Sequence, residues 1–409
     1  YFFAMANHHD NFDNYDSKYQ PWNSVNIGPK KDIIGGWEKA ARKYGMYFGV
    51  SNHAAHAWLF YETSQLADKK GEKAGIPYDG NLTKEDGKGK WWEGYDPQEL
   101  YAQLHTPSEG YENPGNIHKQ WNWGNGASKP SEDYITRFYN RTIDLINKYN
   151  PDMIYFDDTA LPFWPVSNAG VEIAAHFYNH NLKQTKGKSE GVIFGKVLTD
   201  DQKKAMVWDV EKGAPDKIQE QPWQTCTCIG EWHYHREVYN QNRYKPVEKV
   251  IKMLVDVVSK NGNMLLNVPV RGDGTIDDKE LKIVQQIGEW LKINSEGIYD
   301  TRPWKKFGEG PTFNTSNPIN AQGFNEGKLN YTADDIRFTA KKNIVYTFVM
   351  GKPTTTQVSI SSFGTDEPEK IAIKKVELLG YGKVKFQQNK NGLQIWLPIL
   401  HKPTDYVLT

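Results

Sequence analysis

Cysteine is nearly absent from this chain: there are two in 409 residues, Cys226 and Cys228. They stand one residue apart and are not expected to pair with each other, so cysteine usage decides nothing about compartment. Charge of one sign is also lacking, since 50 Lys and Arg balance 50 Asp and Glu. No basic footprint is left for nucleic acid or for an anionic membrane surface. Long apolar runs are missing too, and none approaches the roughly 20 residues needed to span a bilayer. There is no internal repeat, no low-complexity tract and no Cys/His spacing typical of zinc. A signal segment cannot be read, because Tyr1-Phe2-Phe3-Ala4-Met5-Ala6 already has the look of a core strand. The expectation is that strands preceding it are missing from this chain.

Aromatic residues, by contrast, are plentiful: Trp 14, Tyr 23 and Phe 17 make up 13% of the chain. Such content suits stacking surfaces as well as core. The length leaves room for one large domain and a second smaller one. Strand-like runs end near Asn7, Ser51, Asp157, Val197, Asp209 and Val268, with amphipathic helices between several of them. Over 132–149, Ile135, Phe138, Tyr139, Thr142, Leu145, Ile146 and Tyr149 form one helical face. Pro246 opens a second helix to about Ser259, and a third spans about Asp278 to Asn294. Alternating helices and strands predict an α/β fold, a (β/α)8-like barrel with its N-terminal strands outside this chain. The stretch 62–130, rich in Gly, Lys and Trp, is too long for a simple connection and reads as a functional loop or lid. Beyond residue 299 short alternating runs replace helices, as in Ile336 to Ala340, Val345 to Val349 and Leu393 to Leu397. The expected division is therefore a barrel over 1–298 and an antiparallel β-sandwich over 299–409.

The segment Pro151-Asp152-Met153-Ile154-Tyr155-Phe156-Asp157-Asp158 is an apolar run that ends in two carboxylates. It reads as a strand buried on both faces, and the C-terminal ends of such strands form the floor of the active site. A carboxylate there loses hydration and contributes little to packing, so Asp157 is a candidate catalytic group. The competing reading is a turn or a helix cap, which Asp-Asp-Thr also suits. Asn7-His8-His9-Asp10 ends the opening strand, and His53 and His56 follow the second. These histidines fit a metal site, hydrogen bonds to a polar ligand, or capping and packing. Trp208-Asp209-Val210-Glu211 is a further strand end with carboxylates. Aromatics between Trp223 and Tyr234 suit a sugar pocket or a core. Two carboxylates on different strand ends are what glycoside hydrolysis requires.

His8-His9-Asp10-Asn11-Phe12, Asp16-Ser17-Lys18-Tyr19 and Trp22-Asn23-Ser24 closely resemble a stretch of family 29 α-L-fucosidases. So do Pro151 to Asp157, Trp223 to Tyr234, Leu254 to Val268, Arg271 to Ile276, and Ile298 to Trp304, the last like the segment that closes the barrel. The resemblance runs from Phe3 to about Thr312. It implies a retaining, cofactor-free and metal-free hydrolase that removes terminal α-L-fucose from an oligosaccharide or glycoconjugate. Asp157 matches the family's nucleophile, and His8 and His9 match histidines that hydrogen-bond fucose hydroxyls. Tyr155 stands where the family usually has Trp, while His53 and Trp232 are further expected sugar contacts. Gln224 occupies the position where many members place the acid/base Glu. That role then falls to Glu211, with Glu220 and Glu231 as alternatives. Asn11 and Asp158 each replace a family glycine. The substrate class suggests a periplasmic or extracellular protein, or a lysosome-like compartment in a eukaryote. The rival readings are an inactive fucose-binding relative and a metal-dependent hydrolase using His8, His9 and His53 with Asp157.

Overall fold

A computed structural model of the chain describes residues 1–101, 103–319, 323–368, 371–398 and 407–409. Seven parallel strands follow one another in chain order in one sheet: β1 (Phe2–Asn7), β2 (Phe48–Asn52), β3 (Met153–Thr159), β4 (Val192–Lys196), β5 (Val207–Glu211), β6 (Trp223–Cys228) and β7 (Gly262–Asn267). Between and after them lie helices α1 (Ile33–Lys43), α2 (Ala57–Phe60), α3 (Glu132–Tyr149), α4 (Ala169–Gln184), α5 (Arg236–Asn240), α6 (Val247–Ser259) and α7 (Asp278–Asn294). Parallel strands whose chain neighbours are also their sheet neighbours are the wall of a β/α barrel. The sequence suggested six strands. The extra one is β6, whose polar residues hid it, although all six of its residues are buried.

The antiparallel part contains β8 (Arg302–Glu309), β9 (Ile336–Lys341), β10 (Ile344–Val349), β11 (Gln357–Ile360), β12 (Glu377–Leu378), β13 (Gly382–Lys383), β14 (Lys385–Asn389) and β15 (Gly392–Trp396). Two three-stranded sheets, β10-β9-β8 and β11-β15-β14, share a core of Ile336, Phe338, Val358, Ile360, Leu393 and Ile395. That is the expected sandwich. The segment from Ile298 to Trp304 was expected to close the barrel. Instead, Arg302 and Pro303 open β8 and pair antiparallel with β9.

Two compact units make up the chain, Tyr1–Trp208 and Asp209–Thr409. In the first, α3 starts at Ser131, whose side chain accepts from the Tyr134 amide, and stops at Asn150 in the left-handed conformation before Pro151. Its buried face, with Phe138, Leu145 and Ile146, joins Ile154 and Phe156 of β3 and Ile173 and Phe177 of α4 in one core. Each such buried side chain contributes about 1.5–3 kcal/mol. The other face of β3 carries Met153 and Tyr155, which pack with Phe194 of β4. The 62–130 stretch forms 3₁₀ turns and is anchored rather than free. Trp22 Nε1 donates to the Asp96 carbonyl at 2.7 Å, and Gln20 to that of Glu99 at 2.8 Å.

In the second unit, Val250, Ile251 and Val255 of α6 and Trp290 of α7 share a core with Tyr346, Phe348 and Met350. This shared core explains why the change of architecture near residue 299 is not the edge of a compact unit. Asp256 and Lys260, inside the Leu254–Val268 motif, have a structural role. Asp256 holds Lys260 Nζ and Arg337 Nε, each at 2.7 Å. Burial raises the Asp256 carboxyl, yet Lys260 and Arg337 bring it down to about 2.

Candidate active site

Strand alternation places Met153, Tyr155 and Asp157 on one face of β3. Phe194 and Lys196 of β4 alternate in the same way, and β3 and β4 pair in parallel register, with Thr159 opposite Lys196. Both strands end here, so the two long polar side chains meet. Lys196 Nζ lies 2.6 Å from Asp157 Oδ1. On the other carboxylate oxygen, His53 Nδ1 donates at 3.2 Å and His9 Nε2 approaches to 3.4 Å. Burial alone would raise the Asp157 carboxyl. The Lys196 ammonium and the His53 N–H instead hold it well below the ordinary value of 3.8. Asp157 is therefore an ionised, nearly buried carboxylate at the C-terminal end of a parallel strand.

The histidines are placed by backbone ties. Asn7 Oδ1 accepts from the amides of His53 and Ala54 at 3.0 and 3.1 Å, joining the end of β1 to the loop after β2. His9 is 3% exposed and its Nδ1 donates to the His53 carbonyl at 3.0 Å. Burial lowers the His9 ring to about 4, outweighing the pull of Asp157. At neutral pH the ring is uncharged, and with Nδ1 protonated, Nε2 is an acceptor. The half-buried His8 stacks on His53 at 4.6 Å, and His9 stacks on Phe60 at 4.3 Å. Tyr155 lies 5.8 Å from the His53 ring. Imidazoles facing a carboxylate, with tyrosine beside them, can exchange hydrogen bonds with a polyhydroxylated ligand. One ligand nitrogen each from His8, His9 and His53 also falls within 4.8 Å of the others, a spacing an ion could share.

Behind this face lies a second buried pair. His56 Nε2 meets Asp158 Oδ1 at 3.1 Å, and both residues are almost fully buried. The His56 ring is sandwiched between Trp121 at 4.0 Å and Trp123 at 4.6 Å. Trp123 Nε1 and the Thr159 amide donate to Asp158 at 3.3 and 2.7 Å. These contacts fasten the 62–130 stretch to the end of β3.

The remaining predicted residues belong to the second unit. Glu211 is the last residue of β5 and half-buried, at the C-terminal end where parallel-strand active sites form. Glu231 is exposed and follows β6 at the same end. Glu220 is exposed and precedes β6, at the opposite end of the strands. Trp232 is half-buried, and its carbonyl accepts from Asn267 Nδ2 at 2.9 Å. Gln224 is fully buried and donates to Asp209 Oδ1 at 2.8 Å.

The structure thus brings together Asp157, His8, His9, His53 and Tyr155. Sequence reasoning missed Lys196 and the pair of His56 and Asp158. A lysine ending a buried strand, at the same end as Asp157, was the available signal for the first.

Two family models match the chain: Alpha-L-fucosidase over residues 1–296, and Alpha-L-fucosidase C-terminal domain over residues 330–408. Plasma alpha-L-fucosidase of Homo sapiens is 24% identical over 429 residues, covering 98% of this chain and 69% of its own. An alpha-L-fucosidase of Dictyostelium discoideum is 25% identical over 324 residues, covering 78% of this chain and 57% of its own. The solved structure of Thermotoga maritima alpha-fucosidase in complex with fucose is 24% identical, with a TM-score of 0.62, over 99% of this chain and 74% of that one. Alpha-L-fucosidase isoenzyme 1 from Paenibacillus thiaminolyticus shows the same fold at 17% identity, with a TM-score of 0.61, over 100% of this chain and 81% of that one.

Proposed function

The chain belongs to the alpha-L-fucosidase family and is a glycoside hydrolase that releases fucose; from that premise we propose a retaining mechanism with Asp157 as nucleophile and Glu211 as acid/base. The observation that carries the reading is the state of Asp157, ionised beside Lys196 and His53 at a strand end. Its free lone pair attacks the anomeric carbon of an α-L-fucoside as the glycosidic bond breaks. Glu211 gives its proton to the departing oxygen, and a fucosyl ester on Asp157 results. Water then attacks the same carbon, Glu211 takes the water's proton, and Asp157 leaves as carboxylate. Retaining glycosidases hold their two carboxyl groups about 5–5.5 Å apart. His8, His9, His53 and Tyr155 would contact the fucose, and Trp232 is a further substrate-binding residue. Supporting Glu211 is strand period. Val207 packs with Tyr155 and Phe194, and Glu211 lies two alternations further on the same face of β5. Glu231 is the alternative, and Glu220 has the weakest support because it precedes β6.

This reading needs no cofactor, because Lys196 and His53 already stabilise the charge on Asp157. We assign the catalytic barrel to 1–298 and the sandwich to 299–409, in keeping with the two family matches. Among the described residues no helix is long and apolar enough to cross a membrane. From a fucosylated glycan substrate we infer a periplasmic, extracellular or lysosome-like compartment.

The test is hydrolysis of 4-nitrophenyl α-L-fucoside with EDTA present, followed by azide rescue. Asp157→Gly should lose turnover and regain it with azide, giving the β-configured fucosyl azide. Glu211→Ala should give the α-configured azide. Loss of wild-type turnover on chelation would instead favour a metal held by His8, His9 and His53. An α-azide from Asp157→Gly would refute the nucleophile assignment.

A further inference from the structure

The end of β5 is held by a strap from later in the chain, all within the second unit. Gly323 bridges to Glu211 as a parallel partner, and the Phe324 amide donates to the Glu211 carbonyl at 2.8 Å. The approach is so close that a Cβ on Gly323, whose φ is +135°, would lie 2.1 Å from the Glu211 carbonyl oxygen. Only glycine permits it. Next, the Glu326 amide donates to the Lys212 carbonyl at 2.9 Å. Asn325 is 2% exposed and grips Ala214 from both sides, accepting from its amide and donating to its carbonyl, each at 2.9 Å. The Glu326 carboxylate is fixed in turn by Thr227 Oγ1 at 2.5 Å and Lys245 Nζ at 2.7 Å.

This strap presents an aromatic ring. Phe324 is 46% exposed and holds a φ of 64°, a conformation a bulky side chain avoids unless its surroundings impose it. Lys212, the residue after Glu211, is also in the left-handed region at 45°. On the other side, Lys212 Nζ sits 4.9 Å over the Trp232 ring. That ring's loop is pinned by Asn267 Nδ2, which donates to the carbonyls of Glu231 and Trp232 at 3.2 and 2.9 Å. Two residues with aromatic side chains are therefore tied to the end of β5, Phe324 through the Glu211 carbonyl and Trp232 through Lys212. Packing alone does not account for a strained, half-exposed phenylalanine.

We propose that Phe324 and Trp232 form the binding surface for the departing part of the substrate, a pyranose residue of a neutral glycan. The inference rests on Glu211 as acid/base, because the group that protonates the leaving oxygen must stand beside the leaving sugar. The apolar C–H face of a pyranose stacks on an aromatic ring, and the Lys212 ammonium offers donors to its hydroxyls. Phe324 and Trp232 are thus specificity-determining for the leaving group.

The experiment compares kcat/KM for an α-L-fucosyl disaccharide with that for α-L-fucosyl fluoride, which has no leaving sugar. For Phe324→Ala, the loss on the disaccharide should exceed the loss on the fluoride by about tenfold. Trp232→Ala should do likewise, and Phe324→Tyr should recover the disaccharide rate. Equal losses on both substrates would make Phe324 a merely structural residue and overturn the proposal, as would no loss on either. Should Phe324→Ala unfold, the disaccharide-to-fluoride ratio of Phe324→Leu, which keeps bulk without a ring, decides the matter in the same way. Wild-type protein that turns over neither substrate would remove the parent reading and this one with it. Turnover of both with unaltered ratios in the variants would remove this one alone.

Discussion

Lys196→Met tests the electrostatic account of Asp157 most directly. Lys196 is 4% exposed, and its ammonium lies 2.6 Å from a carboxylate whose side chain is 13% exposed. Removing one partner of a buried ion pair costs about 3–5 kcal/mol, because the other charge is left without compensation. His53 remains on the second oxygen, so the lower end applies, about 3 kcal/mol at pH 7. For a body of roughly 150–250 residues this lowers Tm by about 6–12 °C. The sign with pH follows from the direction of the shift. In the parent protein the folded Asp157 lies below 3.8, so its pairing stabilises above that value and the stability is lost as pH falls through the folded pKa. Without the lysine, burial pushes the carboxyl up, and a proton can relieve the isolated charge. The difference in Tm between variant and parent should be greatest near neutrality and shrink toward pH 4. With Asp157 as the proposed nucleophile, the acid limb of kcat/KM should move toward neutral pH. Thermal melts at pH 4 and pH 7 and a pH–rate profile measure both. An unchanged acid limb in an active variant would refute the argument, as would a Tm loss that is the same at both pH values.

Two further predictions concern buried groups of the first unit. Glu62 is 6% exposed and accepts from the Ser108 amide and hydroxyl at 3.0 Å each. Burial outweighs those bonds and raises it to about 7. A raised carboxyl supports the fold below its unfolded value and loses that support as pH rises through about 7, so Glu62→Gln should match the parent at pH 4. At pH 8 it should be more stable by up to about 3 kcal/mol in urea unfolding. Arg141 is 2% exposed and holds Asp13 at 2.6 Å through Nη2 and Asn11 Oδ1 at 2.6 Å through Nη1. Arg141→Leu should therefore lose about 3–5 kcal/mol, and adding Asp13→Leu should restore much of it, as a double-mutant cycle would read.

Asp157 was legible in sequence because a strand buried on both faces leaves few reasons for a carboxylate at its end. The α3 face was legible for a similar reason: Ile135, Phe138, Leu145 and Ile146 recur at helical spacing, and all are buried. Arg141 on the same helix was not, since a buried guanidinium breaks the apolar period and its partner Asp13 is 128 positions away. β6 escaped because Gln224, Thr225 and Thr227 are polar, and only the fold shows where their hydrogen bonds go, the first two to β5 and the third to Glu326. Lys196 had only its place at the end of a buried strand to mark it, because one residue at a strand end has no period. The His56 sandwich depends on Trp121 and Trp123, placed by a long irregular stretch whose path no local pattern encodes.

Gln224 shows how a single departure from a family pattern changes meaning once its surroundings are known. Read alone, an amide where relatives carry a carboxyl suggests a site that has lost its acid/base. In the fold, Gln224 and Asp209 are both fully buried, and the amide donates to one Asp209 oxygen at 2.8 Å while Cys226 Sγ donates to the other at 3.1 Å. A glutamate at 224 would set a second carboxyl at that distance in a dry interior, and it would repel Asp209 unless it kept a proton. An amide, which donates and carries no charge, is the side chain that Asp209 accommodates. Gln224 therefore stabilises the barrel interior at β5 and β6, and its identity is explained without any loss of activity. With residue 224 committed to Asp209, the proposed acid/base Glu211 does not depend on a carboxyl at 224. Strand period keeps Asp209 and Glu211 on one face, and Glu211 stands at the C-terminal end, where a substrate can reach it.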